Sequence, residues 1–396
     1  VGAAAERLIG RRHGTISFKI PLEGFKDGYT PGAAGDPGTT GVIPHWFAML
    51  SNVLGSKTGA LVDTATKFWD SLQSSTSEYT SGGVLSATSA AITLDDATAS
   101  DKVDGGQLIA TALSATTTAI QMGFVQDKAV TVVTLFETSA QTVNSASANV
   151  YGTANAWISA AIYDQIPMTF EWVGEQTEAC YILADAVCTG FTLTWESGEV
   201  STIEFSYEFY DFSVDKTAGG LVVPAAFQRV PQIVGSDNGR ATFDGSTQCG
   251  LESCSVVYSV ETAPTKCHSA EQGISGIRYR KPRIKVQASI PWDSADLAYD
   301  AAGSSGNTGN HKWQSRLQLG TTTSIGVYVG NVIGKCFAFL VPAGIVTAVP
   351  QIADLDGSVG YQLEIEAGVY SDDSSDIESD TAATTPINSI FRAALA

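Results

Sequence analysis

Along much of this chain apolar and polar residues alternate one for one, the period that sets one face of a β-strand in a core and the other in water. The clearest stretch is Thr202 to Tyr210, where Ile203, Phe205, Tyr207 and Phe209 alternate with Glu204, Ser206 and Glu208. Phe191 to Trp195 alternates in the same way, and Glu196-Ser197-Gly198-Glu199 between the two predicts a hairpin whose glycine takes the positive φ. Three more strands follow from the same rule. Thr15 to Leu22 sets Ile16, Phe18 and Ile20 against Ser17 and Lys19, and Lys281 to Ile290 sets Ile284 and Val286 against Arg283, Lys285 and Gln287. Tyr361 to Val369 sets Leu363 and Ile365 against Gln362, Glu364 and Glu366.

A helical period is rare, and its best example runs from Pro44 to Gly55. Pro44 suits a first turn, Phe47, Leu50 and Leu54 share one face, and Gly55 closes the end. Such a helix covers a sheet. The Pro/Gly-rich stretch 30–40 reads as an irregular loop. Residues 81–150 differ in texture, with few aromatics and many Ala, Ser and Thr. Short strand candidates there are Ala91 to Leu94, Gln107 to Ala110 and Ala129 to Phe136, and together they predict a small inserted β-barrel with its own core.

The pattern also repeats itself. The basic turn and strand Arg11 to Pro21 is echoed by Tyr279 to Pro291, and the acidic turn and strand Ser197 to Tyr210 is echoed by Asp354 to Tyr370. With 396 residues, too many for one ordinary domain, this gives a first β domain over 1–80 and 151–220, the insertion at 81–150, and a second β domain over 221–396. Ser371 to Asp380 reads as a solvated acidic loop, and Ile387 to Leu395 as a short element docking back.

Composition narrows the function. Only 16% of residues are charged while small residues abound, which favours closely packed β structure with extensive subunit contacts. Forty-one acidic against 22 basic residues, a net charge of −19, argues against a protein that grips DNA phosphates. Val1 to Gly10 has no apolar leader, and no run approaches the roughly eighteen apolar residues of a membrane span, so a soluble protein made in a cytoplasm is expected.

Candidate chemistry is sparse. Six cysteines are too few for a disulfide scaffold, and Cys249, Cys254, Cys267 and His268 match no common zinc spacing. Cys180 and Cys188 flank the apolar stretch Tyr181 to Val187 and read as small core residues. The four histidines, His13, His45, His268 and His311, neighbour no nucleophile motif, and Gly32 to Gly41 and Gly303 to Gly309 lack the strand-loop-helix setting of a phosphate cradle. No catalytic, cofactor or metal site is expected, and a structural protein is the reading.

These residues together resemble the tail tube, or major tail, proteins of siphophages. The likeness begins at Gly10 to Gly24 and continues through Gly41-Val42-Ile43-Pro44-His45-Trp46. It returns at Ala186 to Leu193 with Ser197-Gly198-Glu199, and the insertion is similar to small barrels inserted in some members. The resemblance implies two tandem tail-tube β-sandwich or barrel domains, each with a covering helix. Chains would stack as rings around a channel through which DNA passes without specific binding. It also implies a place in the virion tail, assembled in the host cytoplasm, with no membrane or cofactor. The partners would be further copies of the chain, a tape measure protein and tail terminator and tip proteins. Glu204, Ser206, Glu208, Lys19, Arg283, Lys285, Glu364 and Glu366 would line the lumen, with the cations pairing with glutamates across strands. Because one-domain members form six-membered rings, two domains per chain imply trimeric rings with pseudo-sixfold symmetry. Another virion or surface structural protein, such as a capsid decoration protein or adhesin, and a glycan-degrading tail enzyme are the alternatives.

Overall fold

The computed structural model describes residues 14–24, 44–54, 80–82, 91–94, 106, 108–112, 120–129, 132–136, 150–151, 154–159, 165, 167–173, 180–209, 211–215, 239–243, 246–247, 252–266, 274–280, 282–291, 312–332, 335–355, 358–368 and 389–395. The expected loops at 30–40 and 371–380, His13, His268, His311, Cys249 and Cys267 lie outside them. The protein is mainly β, antiparallel throughout its paired strands, and closes into a half-barrel.

The polar-faced part of the main sheet runs in the order β1 (Gly14–Pro21), β11 (Thr202–Phe209), β10 (Cys180–Glu196), β15 (Ser253–Ser259), β18 (Arg283–Pro291) and β22 (Ser358–Ala367). β21 (Gln351–Leu355) adds to β22 as a hairpin partner. From β22 the sheet passes to β20 (Phe337–Val346), whose last residues pair with β22 while its first pair with β23 (Ser389–Leu395). β23 in turn pairs with β8 (Ala154–Ser159), and the other edge of β20 carries β19 (Thr322–Val329), β13 (Gly239–Phe243) and β14 (Ser246–Thr247). β20 therefore belongs to two layers. Phe391 of β23 lies against Phe191 of β10 and stacks on Phe339, so the two layers enclose one core.

The alternation explains this core. Ile16, Phe18 and Ile20 of β1, Ile203, Phe205 and Tyr207 of β11, Phe191 and Leu193 of β10, and Val286, Ala288 and Ile290 of β18 all join it. Helix α1 (His45–Leu54) sits inside it rather than on it. Trp46, Phe47, Met49, Leu50, Val53 and Leu54 are all buried, and Trp46 meets Phe337 and Phe339 edge-on. Pro44 precedes the helix and its carbonyl accepts the amides of Phe47 and Ala48, so it stands at the N-cap, one position before the expected first turn. A second helix, α2 (Lys312–Leu319), puts Trp313 edge-on against Phe243.

Two joins tie the parts of the chain together. The halves are one continuous sheet, because β10 pairs with β15 over seven residues and the C-terminal β23 pairs with β8 from the first half. The insertion is a six-stranded sheet in the order β2 (Thr80–Gly82), β3 (Ala91–Leu94), β6 (Val132–Leu135), β5 (Ile120–Ala129), β4 (Leu108–Ala112), β7 (Val150–Tyr151), one of whose faces shares a core with the main sheet. Leu108, Ile120, Met122, Phe124 and Phe136 pack with Tyr328, Cys336, Ala338, Leu340 and Ala394 of the main sheet. Arg240 donates to the Met122 carbonyl at 2.6 Å, and the Ile120 amide donates to the Asn331 carbonyl at 2.8 Å.

Four strands serve the edges. β9 (Met168–Val173) and β12 (Asp211–Asp215) pair with the first half of β10 beyond a break in its register, and β16 (Thr262–Lys266) and β17 (Ile274–Tyr279) form a separate hairpin. The break has an identifiable staple. Gln165 donates to the Cys188 carbonyl at 2.8 Å and accepts from the Cys188 amide at 2.9 Å, satisfying the backbone where the ladder shifts.

Candidate functional site: a polar wall across the sheet

With the apolar residues of the alternating strands inside, their polar partners form one outer face. Lys19 lies opposite Glu204, Glu204 opposite Thr192, Thr192 opposite Val257, Val257 opposite Lys285, and Lys285 opposite Glu366. The line one step along holds Ser17, Ser206, Gly190, Ser259 and Arg283. The line on the other side holds Thr202, Thr194, Ser255, Gln287 and Glu364. Glu208 lies two residues beyond Ser206 on β11. All eight residues nominated from the sequence thus share one face of one sheet, although they come from opposite halves of the chain.

Their charges are interleaved. Glu196, Glu204, Glu208, Glu364 and Glu366 stand among Lys19, Arg283 and Lys285, five against three, so these residues leave two negative charges where the whole chain carries −19. The wall is near neutral rather than strongly acidic. The expected cross-strand pairing is realised at Lys285, whose ammonium donates to Glu364. That bond, and then the glutamate's charge, raises the lysine's pKa above its ordinary value. Glu208 accepts from the Thr262 hydroxyl at 2.8 Å, and the Ser17 and Ser206 hydroxyls bond to each other at 3.0 Å.

This face carries a hollow. A depression of about 600 Å³ is lined by residues of four successive strands, from Thr192 and Thr194 through Ser255 and Gln287 to Gln362. Ala348, Val349 and Gln351, which lead from β20 into β21, close its remaining side. Gln287 and Gln362 stand on the polar side of the strands predicted from the sequence, whereas Ser253 and Ser255 belong to β15, which that reading did not include. The signal for those serines is alternation with Cys254, Val256 and Tyr258, which small polar side chains make faint.

Nothing in this wall groups as a reactive centre. Among the described residues no three His, Cys, Asp or Glu side chains gather as metal ligands. The thiols of Cys188, Cys254 and Cys336 are buried and unbridged, and burial pushes each up to about 12, so they stay protonated and act as apolar filling. Among the described residues no helix is long and apolar enough to cross a membrane.

Fold and face together define the class: a mainly β protein whose antiparallel half-barrel presents a polar wall of interleaved charges. Neither the protein-family models nor the curated proteins compared with this sequence give a match.

Proposed function

We propose that this chain is the tail tube subunit of a long-tailed bacteriophage, forming stacked rings around a channel for DNA. The polar wall of six strands carries the proposal. DNA moving through a channel needs a hydrated surface without unpaired cations, since each exposed Lys or Arg adds a phosphate contact. Here Lys19 faces Glu204, and Lys285 stands between Glu364 and Glu366.

The stagger of the sheet supports closure into a tube. Ile20 connects straight across the ladder through Ile203, Leu193 and Val256 to Val286, whereas its counterpart in the second half, the isoleucine before the strand-ending proline, is Ile290. The repeat therefore advances four residues along the strands for every four strands crossed. Rises of about 3.3 Å per residue and spacings of about 4.8 Å per strand convert this to a tilt of about 35°, within the range of closed barrels. Six such four-strand units would give a wall about 45 Å across between backbones, wider than a DNA duplex. Each chain supplies one full unit, β1, β11, β10 and β15, and three described strands of a second, β18, β22 and β21, so six positions correspond to three chains per ring with pseudo-sixfold symmetry.

Electron microscopy of the purified protein tests this. Tubes with a lumen and three chains per ring are expected. Particles without a lumen would overturn the reading, and six identical chains per ring would overturn the trimer. Replacing Glu204 and Glu208 by Lys should leave assembly intact, because both side chains lie on the hydrated face, and should stall DNA release in an ejection assay. A variant that cannot fold would show that this face is structural.

A further inference from the structure

One cation of the polar wall stands apart from its glutamates. Lys19 faces Glu204, and Lys285 faces Glu366 and bonds Glu364. Arg283, which opens β18, instead faces Ser259 of β15, and the ladder to β22 ends at the Lys285–Glu366 pair, two residues short of it. Arg283 is exposed, and among the described residues it makes no ion pair.

Beside Arg283 lies a second hollow, of about 560 Å³, where β15 turns into β16 and β17 leads into β18. A second arginine lines it. Arg280 is held twice, by its amide donating to the Glu261 carbonyl at 2.9 Å and by its guanidinium donating to the Glu261 carboxylate at 2.8 Å. A guanidinium carries five N–H donors, so that pair leaves Arg280 donors to spare, and the buried Pro282 stiffens the backbone between the two arginines. The two carboxylates in the lining, Glu261 and Glu366, are bonded to Arg280 and set opposite Lys285, so each has a cation of its own. Arg283 is the charge left over.

We propose that Arg283 and Arg280 form a phosphate-binding site at this end of the wall. A tetrahedral oxyanion accepts two parallel N–H bonds from one guanidinium and keeps lone pairs for a second, and an arginine stays charged at any working pH. The proposal deepens the tube reading and rests on it for the source of the phosphate, which in a channel is the backbone of the passing DNA. One such corner per chain gives three per ring. The contact is independent of sequence and slows DNA without holding it, because Lys19 and Lys285 are matched by glutamates.

Two measurements test the site and the source separately. Inorganic phosphate added to the purified full chain should give a broadened phosphorus NMR resonance with the wild type and with Lys335→Gln, at an exposed lysine that does not line the hollow. The resonance should stay sharp with Arg280→Gln combined with Arg283→Gln, whose melting temperature should not change because both arginines are exposed. Arg283→Gln alone, which keeps the Arg280–Glu261 pair, should give an intermediate width. Equal broadening with every variant, or none with the wild type, would overturn the site and leave the tube reading standing. In virions the double variant should release DNA about twofold faster at low salt and at the wild-type rate at high salt, where the contacts are screened. Lost phosphate binding with unchanged release would overturn DNA as the source and leave a site for free phosphate. Protein that forms no tubes would overturn the tube reading and the DNA source, while the phosphate titration still decides the site.

Discussion

At the scale of single residues, the wall places carboxylates beside cations. Lys285 is the measurable case, since its bond to Glu364 raises its pKa above 10.5. A lysine with a raised folded-state pKa contributes stability that is fully present below the unfolded value and is lost as pH rises through the folded one. The difference in denaturation midpoint between the protein and Lys285→Met should therefore be constant through neutral and mildly alkaline pH and fade above about 10.5. A difference that instead grew there would remove the assigned pairing. On the tube reading, Glu364→Gln combined with Glu366→Gln should fold and assemble normally yet make isolated tubes retain DNA at low salt, with retention abolished by added salt, because together they remove both carboxylates beside Lys285. Gln165 shows a second residue-scale device: one buried amide occupies both the N–H and the C=O that the ladder break in β10 strands at Cys188.

At the scale of elements, legibility followed burial. The amphipathic strands β1, β10, β11, β18 and β22 could be read because one face is dry and the other wet, which forces a period of two. β20, with nine of its ten residues buried, and β23, with all seven buried, carry no such period and were harder to place. For β23 the sequence indicated only that 387–395 docks back, without deciding between helix and strand. Helix α1 was legible as an element but not in its setting. A stripe of Phe47, Leu50 and Leu54 predicts a helix lying on a sheet, yet Trp46, Met49 and Val53 on its other sides are buried too. Leu50→Ala should accordingly cost about 2–5 kcal/mol, as for an enclosed core leucine. Chemical denaturation can measure this, and a cost under about 1 kcal/mol would mean that the helix is peripheral.

At the scale of the whole molecule, the inserted sheet behaves as part of the body. Phe124 meets Tyr328 at 5.9 Å between ring centroids, and Arg392 lies over the Phe136 ring at 5.4 Å. Removing residues 81–150 behind a short linker would bare Tyr328, Ala338 and Leu340, which lie at 2% exposure or less. An insoluble product, or one with a melting temperature lower by ten degrees or more, is expected. A deletion variant as stable as the parent would show that the shared core contributes little.

Alternation by itself determined which side chains share a face, so the residues of the polar wall and their apolar counterparts were fixed before any fold was known. The repeat of Ile-Pro strand ends and acidic turns likewise lay open in the sequence. Tertiary structure alone decided the partners: β10 with β15, β23 with β8, and the insertion with β19 and β20. A period of two states that a strand has a dry face but not which distant strand it joins. That choice is made by how buried surfaces far apart in the chain fit together, and no local pattern records it.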